Sequence, residues 1–309
     1  HDPARGVADR GIEGFGSGEG GGNAGADVVV EGGKGRHIFL LVFLLKKRLL
    51  NFCKSIVIRS KFEISTLSMP TPFLTGAWRR LVLLNYRVAP EILLPYLPAH
   101  TELDTWNDTC YVSVVGFMFE NTRVRGLKIP FHVYFEEINL RFYVRHQDRS
   151  TGEWKRGVVF VREIVPKPAI AWVANTLYRE QYRARRMWHR WEEQSENLQV
   201  EYAWREAGRW QAFGVQAENR LQDLIPGSEA EFITEHFWGY ARWDAQRSME
   251  YQVEHPRWQL YPIRSWHCDV DFGLAYGPEF AGLNGAAPVS IFLAEGSDIK
   301  VFKGRLIDR

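Results

Sequence analysis

Two consecutive strand-like runs that carry charge where a covered sheet has none constrain this chain more than any other feature. Residues 134–145 alternate with period two. Ile138, Leu140, Phe142 and Val144 form one wholly apolar face, and Glu137, Asn139, Arg141 and Tyr143 form the other. Residues 155–165 follow across a turn at 149–152. From Gly157 to Val165 this second run is apolar on both faces, the pattern of a strand covered on both sides. It nevertheless holds Arg162 on one face and Glu163 on the other. A buried charge without a partner is costly, so each demands one. With the hairpin tip at 149–152, Asn139 falls opposite Arg162, and Glu137, on a diagonal, neutralises it. A slip of one residue instead presents Glu163 to Arg141. Either register builds a polar cluster inside the sheet. A ligand-lining row and a purely stabilising ion-pair network are both compatible with it.

After Val165 the period changes. Ile170, Val173, Ala174, Leu177 and Tyr178 fall on one stripe of an amphipathic helix. Pro168 suits the first helical position, which puts Lys167 at the N-cap. The helix end disfavours an ammonium by roughly 0.3–1 kcal/mol. Bringing a lysine from about 10.4 to near 7 takes on the order of 4–5 kcal/mol. Burial, or a cation such as Arg162, would have to supply the difference.

Glycine divides the chain of 309 residues. Residues 1–35 hold twelve of the 27 glycines, all twelve tryptophans lie beyond residue 69, and the first methionine is Met69. Residues 1–68 therefore read as a disordered extension or as translated sequence upstream of the true start. The apolar run 38–45 is too short to span a bilayer. The basic residues 46–48 follow that run, whereas a secretory signal places them before it. A membrane-surface helix over 38–58 is the remaining membrane reading, and no stable insertion is expected. Residues 69–309 read as a single domain. They carry 29 Lys and Arg against 30 Asp and Glu, so no nucleic-acid partner is expected. The only cysteines within residues 69–309, Cys110 and Cys268, are too few for a disulfide framework and point to a reducing cytoplasm.

Many short strands and few helices make this a mainly β chain of the α+β kind, folded as a closed or nearly closed antiparallel β-barrel. A hairpin is expected across Asn107-Asp108, with Gly116 marking a bulge or close backbone approach. Strands are expected over 185–191, 198–205, 209–217, 237–243, 249–254 and 257–267. Ser228 and Glu231 form a capping box. The chain closes as a hairpin of 290–294 and 299–306 across Glu295-Gly296-Ser297. No dinucleotide, P-loop or nucleophile-elbow motif occurs, so no cofactor is expected. Histidines such as His236 and His255 lack metal-ligand spacing, so no metal is expected.

Several segments resemble the YqjF-like family of bacterial proteins of uncharacterised function. They are Thr71-Pro72-Phe73-Leu74, Leu103-Asp104-Thr105-Trp106, Phe135 to Arg141, Arg162 to Pro166, Ile233 to Tyr240 and Val253 to Trp258. The resemblance covers essentially all of residues 69–309. More remotely, the order of parts is similar to the acetoacetate decarboxylase fold, with Leu94-Pro95, Leu97-Pro98, Glu137, Arg162-Glu163 and Pro166-Lys167 as the echoes. That similarity implies a β-barrel with an inward glutamate and a lysine pair. Here Pro168 replaces the second lysine, and the Glu163-to-Lys167 spacing is two residues shorter. Three functions are expected on this basis. The first is binding of a small molecule, a carboxylate held by Arg141 or Arg162, in a pocket of Glu137, Asn139, Arg141, Tyr143, Arg162, His236 and His255. The second is a lyase or hydratase acting on an oxo acid, with Lys167 as Schiff-base amine and Glu163 as acid–base. The third is a non-catalytic structural or regulatory role.

Overall fold

The alternating runs become strands of one ring. The structure, a computed structural model, describes residues 71–177 and 179–308. The expectations for residues 1–68, the surface helix over 38–58 and the place of Tyr178 on its helix lie outside them. In chain order the strands are β1 (Leu74–Val88), β2 (Glu102–Leu103), β3 (Cys110–Val124), β4 (Phe135–Gln147), β5 (Trp154–Val165), β6 (Tyr182–Ala184), β7 (Met187–Glu193) and β8 (Asn197–Glu206). They continue with β9 (Arg209–Glu218), β10 (Gln222–Asp223), β11 (Trp238–Arg242), β12 (Ser248–Glu254), β13 (Gln259–Tyr261), β14 (Ile263–Asp269), β15 (Ser290–Val301) and β16 (Arg305–Ile307). Short helices occupy Pro90–Leu93, Pro168–Leu177, Glu229–Thr234 and Phe272–Tyr276.

Seven strands succeed one another around the ring in the order β15, β1, β3, β4, β5, β11, β12 and back to β15. The closure is thin, two residue pairs between β12 and β15, Val253 with Val301 and Glu254 with Lys300. The barrel is thus mainly β and nearly closed. It departs from a purely antiparallel barrel at one seam, where β11 runs parallel to β5 at Trp238–Gly157 and Gly239–Val158. Below that contact the C-terminal half of β5 has β4 on one side and the short parallel strand β6 on the other.

Two apolar layers flank the ring. Leu83, Val115, Phe117, Phe119, Phe135, Val158 and Ile299 pack with Phe232, Ile233 and Trp258 on its inner side. Val82, Leu84, Val114, Ile138, Leu140 and Phe142 face outward into a second core. That core is covered by a separate sheet, ordered β14, β9, β8, β7, whose Tyr202, Trp204 and Phe213 are fully buried. Each such aromatic contributes on the order of 1.5–3 kcal/mol on burial. Gly116 lets this sheet approach, because a Cβ there would meet the rings of Tyr202 and Phe213 at 2.7–2.9 Å.

Local expectations met the tertiary structure with mixed results. Half of the capping box forms: Glu231 N donates to Ser228 Oγ at 3.2 Å, but the Glu231 carboxylate accepts from Gly227 N at 2.6 Å in place of Ser228 N. Lys167 sits at the helix N-cap, its carbonyl accepting from Ile170 and Ala171. The Asn107-Asp108 turn forms through the Trp106–Thr109 bridge, but β2 pairs with β4 and not with β3. The C-terminal hairpin across residues 295–297 does not form. Instead β15 runs straight through Gly296 (φ 83°) along β1. The run 257–267 splits at Pro262 into strands of different sheets, because proline cannot continue a ladder. The helix Phe272–Tyr276, capped by Asp271 Oδ1 accepting from Leu274 N at 3.0 Å, was not foreseen.

Candidate functional site

A one-residue bulge decides which charges face inward. The pairing of β4 with β5 runs Ile138–Ile164, Asn139–Glu163, Leu140–Arg162, then skips to Arg141–Phe160. Val161 is the unpaired residue, so Val161 and Arg162 turn successively to the outer side while Val158 and Phe160 remain inside. A bulge re-aims side chains in this way. The expected pairing of Asn139 with Arg162 is therefore not formed, and Glu163 takes the inward place. Arg162 donates from Nη1 to the carbonyl of Ala275 under the helix Phe272–Tyr276, remote from Glu137.

Glu137, Asn139 and Glu163 meet on the inner face and are almost fully buried. Three further residues join them, none singled out from the sequence. Tyr182 on β6 donates its hydroxyl to Glu137 Oε2 at 3.0 Å. Asn139 Nδ2 donates to the other oxygen of Glu137 at 3.3 Å. Tyr251 on β12 donates to Glu180 Oε1 at 2.9 Å, and Glu180 is buried as well. Asn175, on the helix after β5, holds Tyr182 by both its backbone groups, at 2.7 and 2.9 Å. Gly239 leaves room for the Tyr251 ring, which a Cβ at that position would strike.

The cluster holds three carboxyls, and no cation figures among the groups that set their proton affinity. Burial pushes Glu137 up to about 7, against hydrogen bonds from Tyr182 and Asn139 that pull it down. Burial and the repulsion of Glu137 push Glu180 up to about 8. Glu163 is raised well above the ordinary carboxylate range by burial, then by Glu180 and Glu137. Tyr182 and Tyr251 are raised well above an ordinary phenol by the same burial and the same acids. At neutral pH the cluster therefore holds protons, and its acids can donate hydrogen bonds. Glu163 Oε2 and Asn139 Oδ1 are buried with no partner in the protein.

The next inward residue along β4, Arg141, donates from Nη2 to the Ile233 carbonyl at 3.3 Å, while its buried Nε has no partner. Its guanidinium lies 5.7 Å from the ring centre of Tyr143. Tyr143 is committed elsewhere, its hydroxyl 2.6 Å from Ser113 Oγ, which in turn donates to Asn85. His236 stands 4.7 Å from Tyr143, ring to ring, with Nε2 at 3.3 Å from Asp104. Arg156 Nε donates to the same Asp104 oxygen at 2.6 Å. Burial drives His236 down to about 4, outweighing the pull of Asp104. The ring is neutral at pH 7, Nε2 carries the proton, and the buried Nδ1 is a bare acceptor. Burial raises Asp104, but the hydrogen bonds from His236 and Arg156 outweigh it and leave it below the usual range.

His255 is stacked on Trp258 at 4.4 Å and lines an open cleft of about 690 Å³ with Thr75, Arg123, Glu254 and Lys300. Burial lowers its proton affinity, and the Arg141 charge adds to that. Lys167 is not brought to the carboxyl cluster. Its charge acts on Glu136, which points to the opposite face of β4 and contacts His189 at 2.8 Å. Glu180 carried no signal in the sequence, since it lies in a connection outside any periodic run. Tyr251 carried one, a large residue opposite Gly239 across a strand pair. Among the described residues no three of His, Cys, Asp and Glu converge in a metal-holding group, and no helix is long and apolar enough to cross a membrane.

Known proteins resemble this architecture. An acetoacetate decarboxylase-like enzyme from Sphingomonas wittichii RW1 superposes with a TM-score of 0.54 at 12% identity, covering 81% of this chain and 98% of its own. The enduracididine biosynthesis enzyme MppR, complexed with pyruvate, superposes at 0.52 with 14% identity, covering 79% and 93%. At these identities the likeness is one of fold, and the fold is that of acetoacetate decarboxylase. In sequence, the uncharacterized protein YqjF of Bacillus subtilis (strain 168) is 32% identical over 92 residues, 29% of this chain and 38% of YqjF's length. A family model matches residues 75–298, most of the chain and all of the ring but Leu74 and the last β15 residues, and by that match the chain belongs to DUF2071, a family of uncharacterized conserved proteins.

Proposed function

We propose that the domain formed by residues 69–309 binds a small organic acid that also carries a carbonyl oxygen, with an oxo acid as the model ligand. The observation that carries this reading is the set of buried, partnerless polar atoms on one inner strand face. Glu163 Oε2 and Asn139 Oδ1 lie on one side and Arg141 Nε on the other. Alternate residues of a strand stand about 6.6 Å apart, the length scale of a short oxo acid. The guanidinium takes the carboxylate, and a protonated carboxyl of the cluster donates to the carbonyl. A neutral carboxylic acid in an apolar site serves as such a donor at neutral pH. The fold neighbour complexed with pyruvate shows that this architecture accommodates a ligand of that class in another protein. Arg162 and Lys167 have no part in this reading. The free thiols Cys110 and Cys268 agree with a reducing cytoplasm as its place of work.

Thermal unfolding with a panel of two- to six-carbon oxo acids tests it. A ligand at about 100 times its Kd adds about 2.7 kcal/mol, which raises Tm by roughly 5–10 °C for a domain of this size. Arg141→Met should abolish the shift. Glu163→Gln, which keeps a donor, should retain more of it than Glu163→Leu. The absence of a shift with every acid at about pH 6, where the cluster is protonated, would leave the cluster a purely structural network.

A further inference from the structure

The hairpin loop joining β3 to β4 exposes apolar side chains that a water-facing turn has no reason to display. Phe131 is 86% exposed, Leu127 69% and Tyr134 57%. The loop is well built. Leu127 and Val124 exchange backbone hydrogen bonds at 3.0 Å, Thr122 N donates to the Val133 carbonyl at 3.1 Å, and Tyr134 donates to Asn121 at 2.9 Å. Phe131 is held at φ 65°, a conformation a bulky side chain rarely adopts, and it holds the ring out in solvent. The segment 121–135 contains Arg123, Arg125 and Lys128 and no Asp or Glu. Over residues 69–309 the charges nearly balance, so this one-signed loop is a local feature.

We propose that this loop docks the protein on an anionic phospholipid surface, with Leu127 and Phe131 entering the headgroup–acyl boundary and Arg123 and Lys128 resting among the lipid phosphates. Apolar tips rimmed by basic residues bind such surfaces through buried apolar area and electrostatic attraction together. Self-association through the loop fits less well, since a two-fold contact would set its cations against their own copies. The proposal is independent of the oxo-acid reading, because the loop lies on the surface and the carboxyl cluster is enclosed by the ring.

Co-sedimentation of the full chain with vesicles tests it. Binding to vesicles containing roughly 30 mol % phosphatidylserine should exceed binding to pure phosphatidylcholine by about tenfold, and should fall with salt. The double variant Leu127→Ser/Phe131→Ser should lose about tenfold in affinity on the same vesicles, and Arg123→Glu/Lys128→Glu should lose at least as much and flatten the salt dependence. Both pairs are exposed, and unchanged thermal unfolding verifies that they fold. Binding by either variant equal to that of the parent chain overturns the proposal, because it would assign the contact to another part of the chain. So does failure of the parent chain to bind, including the case in which it forms a dimer that Phe131→Ser dissolves.

Discussion

Replacing Glu137 by glutamine should make the protein progressively more stable, relative to the parent chain, as pH rises. Glu137 is buried beside Glu163 and Glu180, and it keeps its proton to about 7 where the unfolded chain releases it at 4.5. Between those values the folded state binds the proton and the unfolded state does not. Stability is fully present below about 4.5 and is lost as pH rises through about 7. A difference of that size corresponds to about 3 kcal/mol. Glutamine has no proton to lose, and it also relieves Glu163 of a like charge, which acts in the same direction. His236 titrates with the opposite sign, so the quantity to read is the difference between variant and parent at each pH. Urea unfolding at about pH 5 and pH 8 should show that difference moving in favour of Glu137→Gln by about 3 kcal/mol, whatever its offset at pH 5. Parallel profiles, within about 0.5 kcal/mol, would show that Glu137 ionises in the fold as it does in the unfolded chain, and would refute the protonated cluster.

Gly239→Ala places a methyl against the Tyr251 ring, and should cost about 1–3 kcal/mol in urea unfolding and weaken any oxo-acid shift. An unchanged stability would mean that the ring moves freely. His236, held down to about 4, remains neutral in the fold while the unfolded chain takes up a proton below 6.5, so stability is lost as pH falls from 6.5 toward about 4. His236→Gln should remove about 3 kcal/mol from that acid limb, seen as a flatter pH profile. Borohydride treatment with pyruvate should leave Lys167 unmodified by mass spectrometry, because its charge is not among those acting on Glu137, Glu163 or Glu180 and Pro168 stands in the place of a second cation. A reduced adduct at Lys167, lost in Lys167→Arg, would establish Schiff-base chemistry.

Much of the ring was legible because its strands alternate. Residues 134–145 and 155–165 mark β4 and β5 to within a residue or two, and Pro168 marks the helix after them. The sequence also shows that Arg162 and Glu163 face opposite ways. Which of them faces Glu137 depends on Val161, and a bulge leaves no trace in a period-two pattern when the extra residue is another valine. The four-stranded sheet was legible as strands but not as a second layer, since its pairing with the outer core is a long-range matter settled by Gly116 and the aromatics it admits. At Gly296 a turn-like residue proved to lie within one strand, its positive φ and missing Cβ letting β15 pass close against the Trp78 carbonyl of β1. Glu180 was invisible because nothing local to it encodes the three acids brought together by the short parallel pairing of β6 with β5.

The unpaired valine also bears on how the length of this strand relates to what faces the chamber. Deleting Val161 would set Phe160 opposite Arg141 and Arg162 opposite Leu140 in one unbroken ladder, with Arg162 still outward and Glu163 still inward. Pairing the full-length strand without the bulge would do the reverse, turning Arg162 to the face of Val158 and Phe160 and Glu163 away from it. Relatives one residue shorter here keep the inward acid, and in relatives of equal length the bulge itself, more than the identity of the Arg-Glu pair, decides whether the chamber holds protons or a cation.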